Sequence, residues 1–219
     1  MSVGEKARVI YPDSDGQPMA ENTLQFDWIV RLKEGLDDLF RDRDDVFVAG
    51  DLLWYPVEGD PLVRIAPDAM VAFGRPKGYR GSYMQWVEGG VAPQVVFEVL
   101  SPGNRASEMA RKHDFYDRFG VEEYYLYDPD RDDLTGWVRD GGRLTMIDRP
   151  IGWTSPRLGI RFEQGEASLR IIRPDGRELQ NYEELARERD ELASQRDELA
   201  RKAERLAARL RELGEDPDR

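Results

Sequence analysis

The sequence predicts an α/β fold, and three observations carry the prediction. Strand, crossover helix and strand follow one another between Ala92 and Pro129, an amphipathic helical run precedes them, and a train of short strands separated by turns comes after. A heptad helix of different composition then closes the chain.

The central unit is the most informative stretch. Val95, Val96, Phe97, Val99 and Leu100 form a β-branched and aromatic run between Pro93 and the turn signal Ser101-Pro102-Gly103-Asn104, which reads as a buried strand. Glu98 interrupts it, and an ionised carboxylate in such a place costs several kcal/mol unless it is paired or holds a metal. Alternation puts Gln94, Val96, Glu98 and Leu100 on one face of the strand. Asn104 is the N-cap candidate for a helix over Arg105 to Phe119 that stops at Gly120. Glu108, Lys112 and Tyr116 fall on one face of that helix. Tyr124 to Tyr127 reads as the next strand, ending at Asp128-Pro129, and the unit implies a parallel pair with a right-handed connection.

Taken from the beginning, residues 1–22 carry Pro12, Asp13, Asp15, Gly16 and Pro18 and read as an irregular lead-in. Leu24, Trp28, Leu32, Leu36, Leu39 and Phe40 keep helical spacing behind a cap at Asn22 or Thr23, so an amphipathic helix packs on the sheet here. Val46 to Tyr55 reads as a strand softly broken by Gly50, and Glu58-Gly59-Asp60-Pro61 as a hairpin connection to a strand-like run, Leu62 to Phe73, interrupted at Pro67-Asp68. Gly74 to Gly90 is a loop-rich insertion whose Tyr79, Tyr83 and Trp86 either stack on a base or pack on the core. Beyond Pro129, Leu134 to Val138, Leu144 to Ile147, Leu158 to Phe162 and Ala167 to Ile172 are short strands expected to extend the sheet in antiparallel fashion.

At about Tyr182 the composition changes. Leu185, Leu192, Leu199, Leu206 and Leu213 recur every seven residues, which predicts a coiled-coil helix over residues 179–213, self-association through it, and a disordered tail over 214–219. The globular domain is placed at residues 23–178. Oligomer formation through the core, the coiled coil or both is expected.

Composition sets outer bounds. The chain has 219 residues, no cysteine and a net charge of −12. The missing cysteines exclude disulfides and thiolate metal sites and fit a reducing compartment. The start lacks an apolar signal region and no run approaches the roughly 20 apolar residues of a membrane span, so the expected location is cytoplasmic, with no membrane partner. The acidic balance argues against a nonspecific coat for nucleic acid, while leaving room for a local basic groove around Arg75, Lys77, Arg80, Arg105 and Arg111.

Asp68 enters a strand after Pro67, Glu98 lies within a strand, and Lys112 stands on the helix that follows. Two carboxylates and a lysine form the residue set that metal-dependent phosphodiester hydrolysis requires. Spacing alone also admits a turn-capping Asp68 and a structural ion pair of Glu98 with Lys112 or Arg111. Tyr116 reads as core packing, Glu21 as lying outside the site, and His113, about 100° around the helix from Lys112, as structural.

The string Pro67-Asp68, Phe97-Glu98-Val99-Leu100-Ser101-Pro102, Lys112, Tyr116 and Gly120-Val121-Glu122-Glu123-Tyr124-Tyr125, followed by Asp128-Pro129, resembles the Uma-two family of endonucleases in the PD-(D/E)XK, restriction-endonuclease-like superfamily, over roughly Ala20 to Phe162. The resemblance implies an α/β/α core with a central mixed sheet, Asp68 and Glu98 as metal ligands, and DNA cleavage dependent on Mg²⁺, with Mn²⁺ as a substitute. It also implies that Lys112 takes the place of the lysine that the superfamily carries two residues after the second acid, where this chain has Leu100. Glu108 matches an acidic family position and is either a third residue around the metal or half of a helix-surface ion pair. The competing reading is a non-catalytic interaction module, a degenerate nuclease fold recruiting a partner through its heptad helix.

Overall fold

The computed structural model describes residues 9–212 apart from Asp15 and Gln17. Of the expected irregular lead-in, residues 1–8, Asp15 and Gln17 lie outside the described residues, as do Leu213 and the tail expected to be disordered. The chain divides into two compact units, one ending at Leu179 and one beginning at Gln180.

In the first unit, helix α1 (Thr23–Leu39) starts where Asn22 accepts the Gln25 N–H at 2.8 Å, satisfying one of the amides that a helix start leaves without an internal partner. Its Trp28, Ile29, Leu32 and Leu36 are buried, so the predicted stripe is the packed one. Strand β1 (Val46–Ala49) follows, then the two-residue β2 (Trp54–Tyr55), β3 (Ala69–Phe73), the two-residue β4 (Tyr83–Met84) and β5 (Val95–Val99). Helix α2 (Ala106–Phe119) ends at Gly120, whose φ of 93° is the left-handed closing geometry that favours glycine. Strands β6 (Glu123–Asp128), β7 (Asp133–Asp140), β8 (Arg143–Met146), β9 (Arg161–Gln164) and β10 (Leu169–Ile172) complete the unit.

Six strands form the main sheet in the order β1-β3-β5-β6-β7-β8. Only β5 and β6 run parallel; the other neighbours are antiparallel. The crossover between the parallel pair is α2, as the sequence requires. Alternate residues of β3 and β5 face different cores. Ala69, Val71, Val95, Phe97 and Val99 pack with the buried stripe of α1, while Met70, Ala72 and Val96 pack with Tyr116 of α2 and with Tyr124. The sheet thus lies between helices, an α/β/α arrangement of the restriction-endonuclease-like type. Strands buried on both faces explain the near-continuous apolar runs.

Three local expectations need correction. Val46 to Tyr55 is not one softly broken strand: Asp51 takes a φ of 47°, and β2 pairs in parallel with β4 in a separate two-stranded sheet. Of Leu62 to Phe73, only the part after Asp68 joins the main sheet, because Pro67 has no N–H for a ladder. Strands β7 and β8 extend the main sheet, but β9 and β10 pair with each other in a separate two-stranded sheet.

The second unit consists of α3 (Tyr182–Glu212), 31 residues long. Asn181 accepts the Glu184 N–H at 2.9 Å and Glu184 accepts the Asn181 N–H at 3.0 Å, a reciprocal cap. Among the described residues, no helix is long and apolar enough to cross a membrane.

Candidate functional site

The site forms where the pairing of β3 and β5 runs out. Their antiparallel register sets Ala69 opposite Phe97 and Met70 opposite Val96. Continued by one residue, it sets Asp68 opposite Glu98, as cross-strand neighbours on the face turned to α2. Two acids 30 residues apart in sequence are therefore brought together by strand register.

The backbone around them is held by side chains. Pro67 cannot donate a hydrogen bond, and its carbonyl accepts from Asp51 N–H at 3.1 Å. The Val99 N–H donates instead to Asp68 Oδ2 at 2.6 Å. The Val99 carbonyl accepts from Gln25 Nε2 at 2.8 Å, and Gln25 Oε1 accepts the Glu21 N–H at 2.8 Å. The start of α1 is thereby tied to the end of β5 through one buried glutamine.

Helix α2 supplies the partners of Glu98. Lys112 Nζ lies 2.7 Å from Glu98 Oε2, and the fully buried Tyr116 donates its hydroxyl proton to Glu98 Oε1. One helical turn separates the two donors, so one face of α2 grips both carboxylate oxygens. Glu98 is 2% exposed. Tyr116 also stacks on Trp54 with ring centres 6.4 Å apart and meets Tyr124 edge to face at 5.0 Å. It is a packing residue and the holder of the Glu98 carboxylate together, the second of which the sequence reading missed.

Electrostatics divide the three groups. Asp68 is pushed well above the ordinary carboxylate range, chiefly by burial and next by the charge of Glu98 beside it, against the opposing pull of Lys112 and the Val99 N–H. Lys112 is raised overall: burial works to lower it, but the charges of Glu98 and Asp68 outweigh that, so the amine keeps its proton at neutral pH. Tyr116 is raised well above the usual phenol range by burial and the Glu98 charge, which fixes it as a donor.

The group opens into a cleft of about 390 Å³. Its walls include Glu21, Asp51, Asp68, Glu98 and Glu108, opposed by only two cations, Arg64 and Lys112. Glu21, read from the sequence as outside the site, reaches this wall and accepts the Ser101 hydroxyl proton. Arg64, which the sequence hid inside a strand-like run, makes a 3.5 Å contact with the Tyr55 hydroxyl. Asn104 is not the cap of α2; its Oδ1 accepts the Ser101 N–H at 2.8 Å, and the capping position falls to Arg105, which supplies no side-chain bond. His113 packs beside Tyr124 and Trp137.

Of the cations for which the acidic balance left room as a local basic groove, Arg75, Lys77 and Arg80 are engaged within the protein. Arg80 is paired with Glu88 at 2.6 Å, Arg75 donates to the Glu88 carbonyl at 2.7 Å, and Lys77 donates to the carbonyls of Phe40 and Arg41 at 2.8 Å. These cations hold the 74–90 insertion together. Of its aromatics, Tyr83 is buried against Phe47, Trp86 meets Tyr11, and Tyr79 is 95% exposed.

Asp68 and Glu98 fit a small divalent cation. Mg²⁺ binds through one or two carboxylates and keeps several waters, so the absence of a three-residue acidic or imidazole cluster among the described residues is compatible with it. Burial chiefly, and the charge of Glu98 next, favour the protonated form of Asp68, and a dication held by the two acids would offset both.

The profile of the Uma2 family, described as "Putative restriction endonuclease", matches residues 11–163. A solved structure from Anabaena variabilis, described as "a putative nuclease belonging to DUF820", shares 14% identity with a TM-score of 0.46, over 62% of this chain and 72% of its own. No curated protein matches.

Proposed function

The chain belongs to the Uma2 family, and from that premise we propose that it is a metal-dependent endonuclease that hydrolyses DNA phosphodiester bonds. The observation that carries this reading is the facing pair Asp68 and Glu98, open to a cleft, with Lys112 bonded to one of them. Asp68 and Glu98 would hold Mg²⁺, or Mn²⁺ in its place. When bound, the ion supplies Lewis-acid polarisation of a phosphate oxygen and a more acidic water.

The remaining roles belong to side chains. Lys112 keeps its proton, so it serves as a fixed positive charge toward the oxygens that gain negative charge in the transition state rather than as the base that takes a proton from water. Tyr116 donates to Glu98 Oε1 and Lys112 to Oε2, which fixes the plane and direction of that carboxylate. Arg64, across the cleft, offers a guanidinium to a phosphate. With five carboxylates against two cations on the walls, a polyanion is repelled until divalent cations enter. Cation uptake before DNA is the order this charge balance supports.

The test is incubation of the purified protein with supercoiled plasmid and Mg²⁺, beside Asp68→Ala and Glu98→Ala. Cleavage is expected from the parent and from neither variant, and EDTA is expected to stop it. Cleavage that survives both substitutions overturns the assignment. The reading as a non-catalytic module is separated by calorimetry, since it predicts no Mg²⁺ uptake that depends on Asp68 and Glu98.

A further inference from the structure

Helix α3 presents a leucine stripe to solvent: Leu192, Leu199 and Leu206 are 58%, 66% and 64% exposed. The second seam position of the same heptads holds Tyr182, Arg189, Arg196, Ala203 and Leu210. We infer that α3 pairs with the α3 of a second copy of this chain, and that the two helices run antiparallel.

Two arginines in the seam decide the direction. In a parallel, in-register pair, each seam position meets its own copy, so Arg189 faces Arg189 and Arg196 faces Arg196 in successive heptads. Like charges stacked there oppose association. Antiparallel overlap along the full helix instead places Arg189 opposite Leu206, Arg196 opposite Leu199, Ala203 opposite Leu192 and Leu210 opposite Leu185. Each arginine then lays its methylene stem over a leucine and sends its charge outward. That outward course is already taken: the Arg189 guanidinium donates to Asp190 at 2.8 Å and that of Arg196 to Asp197 at 3.0 Å.

Charge distribution points the same way. Residues 182–198 carry seven acids and three bases, and residues 199–212 carry five bases and two acids. Antiparallel pairing lays the acidic half of each helix along the basic half of the other. A helix dipole favours such segregation only within the terminal turns, whereas here it runs through the whole length. On one flank of the seam Glu188 then meets Arg209, an ion pair that a parallel pair lacks, since there Glu188 faces Ala193. On the other flank lie Ala186, Ala193, Ala200 and Ala207, small enough for close backbone approach.

This inference is independent of the hydrolytic reading. The chain has no cysteine, so disulfide trapping reports only on introduced thiols. Full-length Leu192→Cys and Ala203→Cys chains, carrying tags of different size, are mixed and oxidised. A mixed disulfide is expected, with little product from either chain alone. Self-linking of Leu192→Cys overturns the antiparallel direction, and a monomeric mass at about 100 µM by light scattering overturns pairing itself. In the intact chain, Glu188→Arg and Arg209→Glu are each expected to weaken the dimer by about tenfold, with the double variant restored, because each single change makes two like-charge contacts per dimer. No response to the single changes overturns the proposed alignment.

Discussion

Strands β5 and β6 lie side by side, and each buries one glutamate, Glu98 at 2% and Glu123 at 1% exposure. The two acids point to opposite faces of the sheet and have opposite surroundings. Glu98 faces another carboxylate, accepts from a cation and a phenol, and opens into the acidic cleft. Glu123 accepts from three neutral donors, the hydroxyls of Tyr125 and Ser155 and the Arg157 N–H at 2.7 Å. Those donors are themselves braced: Trp153 Nε1 donates to the Tyr125 hydroxyl at 3.2 Å, and Leu158 N–H to the Ser155 hydroxyl at 2.9 Å. Glu123 thus pins the 153–158 turn to the sheet. Burial is common to the two acids. A second carboxylate beside it and a path to solvent distinguish the first from the second.

The largest expected effect separates the two acids by activity. Glu98→Gln keeps the shape and removes the charge, and it is expected to lower Mg²⁺-dependent cleavage by about 10³-fold or more, the scale of losing a charged group that acts in the transition state. Glu123→Gln is expected to stay within about threefold of the parent. Equal losses from both would show that the lock on the 153–158 turn and the cleft act as one unit.

The second comparison reverses the ranking, with stability as the readout. Glu123→Ala leaves two hydroxyls and an amide without their acceptor, at a cost of about 3 kcal/mol. For a domain of this size that is a fall in Tm of about 6–12 °C. Glu98→Ala leaves Lys112 and the Tyr116 hydroxyl without that acceptor but keeps Asp68 beside Lys112 and frees it from a repelling neighbour, so its loss in thermal unfolding is expected to be the smaller of the two.

How much of this was legible depends on which contacts are local. The βαβ unit was readable because Val95 to Leu100 and Gly120 signal their states within a few residues, and the α2 face of Lys112 and Tyr116 follows from helical spacing alone. The facing of Asp68 and Glu98 needs the register of β3 on β5, which no local pattern encodes; the resemblance rather than the spacing pointed to it. Gln25 looked like one more helix residue because its partner, the Val99 carbonyl, lies 74 positions away. Arg64 and Glu21 were lost for a similar reason: irregular segments carry them to the cleft, and irregular segments have no period to read. The separate pairing of β9 with β10 was hidden because short alternating strands announce that they pair, not with which neighbour.

The smallest expected effect concerns the site without its cation, and its sign follows from Asp68. Its folded-state pKa is raised well above the unfolded value of about 4, so the folded chain binds that proton more tightly than the unfolded chain does. The resulting stability is fully present below about pH 4 and is lost as pH rises through the folded value. At neutral pH the metal-free site is therefore a standing cost, relieved by protonation or by a dication. Glu123 is also raised, by burial, and adds a dependence of the same sign, so the parent alone does not isolate the effect. Asp68→Asn does. In EDTA it is expected to be about 1–2 kcal/mol more stable than the parent at pH 7, with the gap closing toward pH 4, as read from urea midpoints across that range. Added Mg²⁺ is expected to raise the midpoint of the parent and leave that of Asp68→Asn in place. A variant less stable than the parent at pH 7 would mean that the Val99 N–H bond to Asp68 outweighs the repulsion from Glu98, and the cleft would then be a structural pair like the one around Glu123.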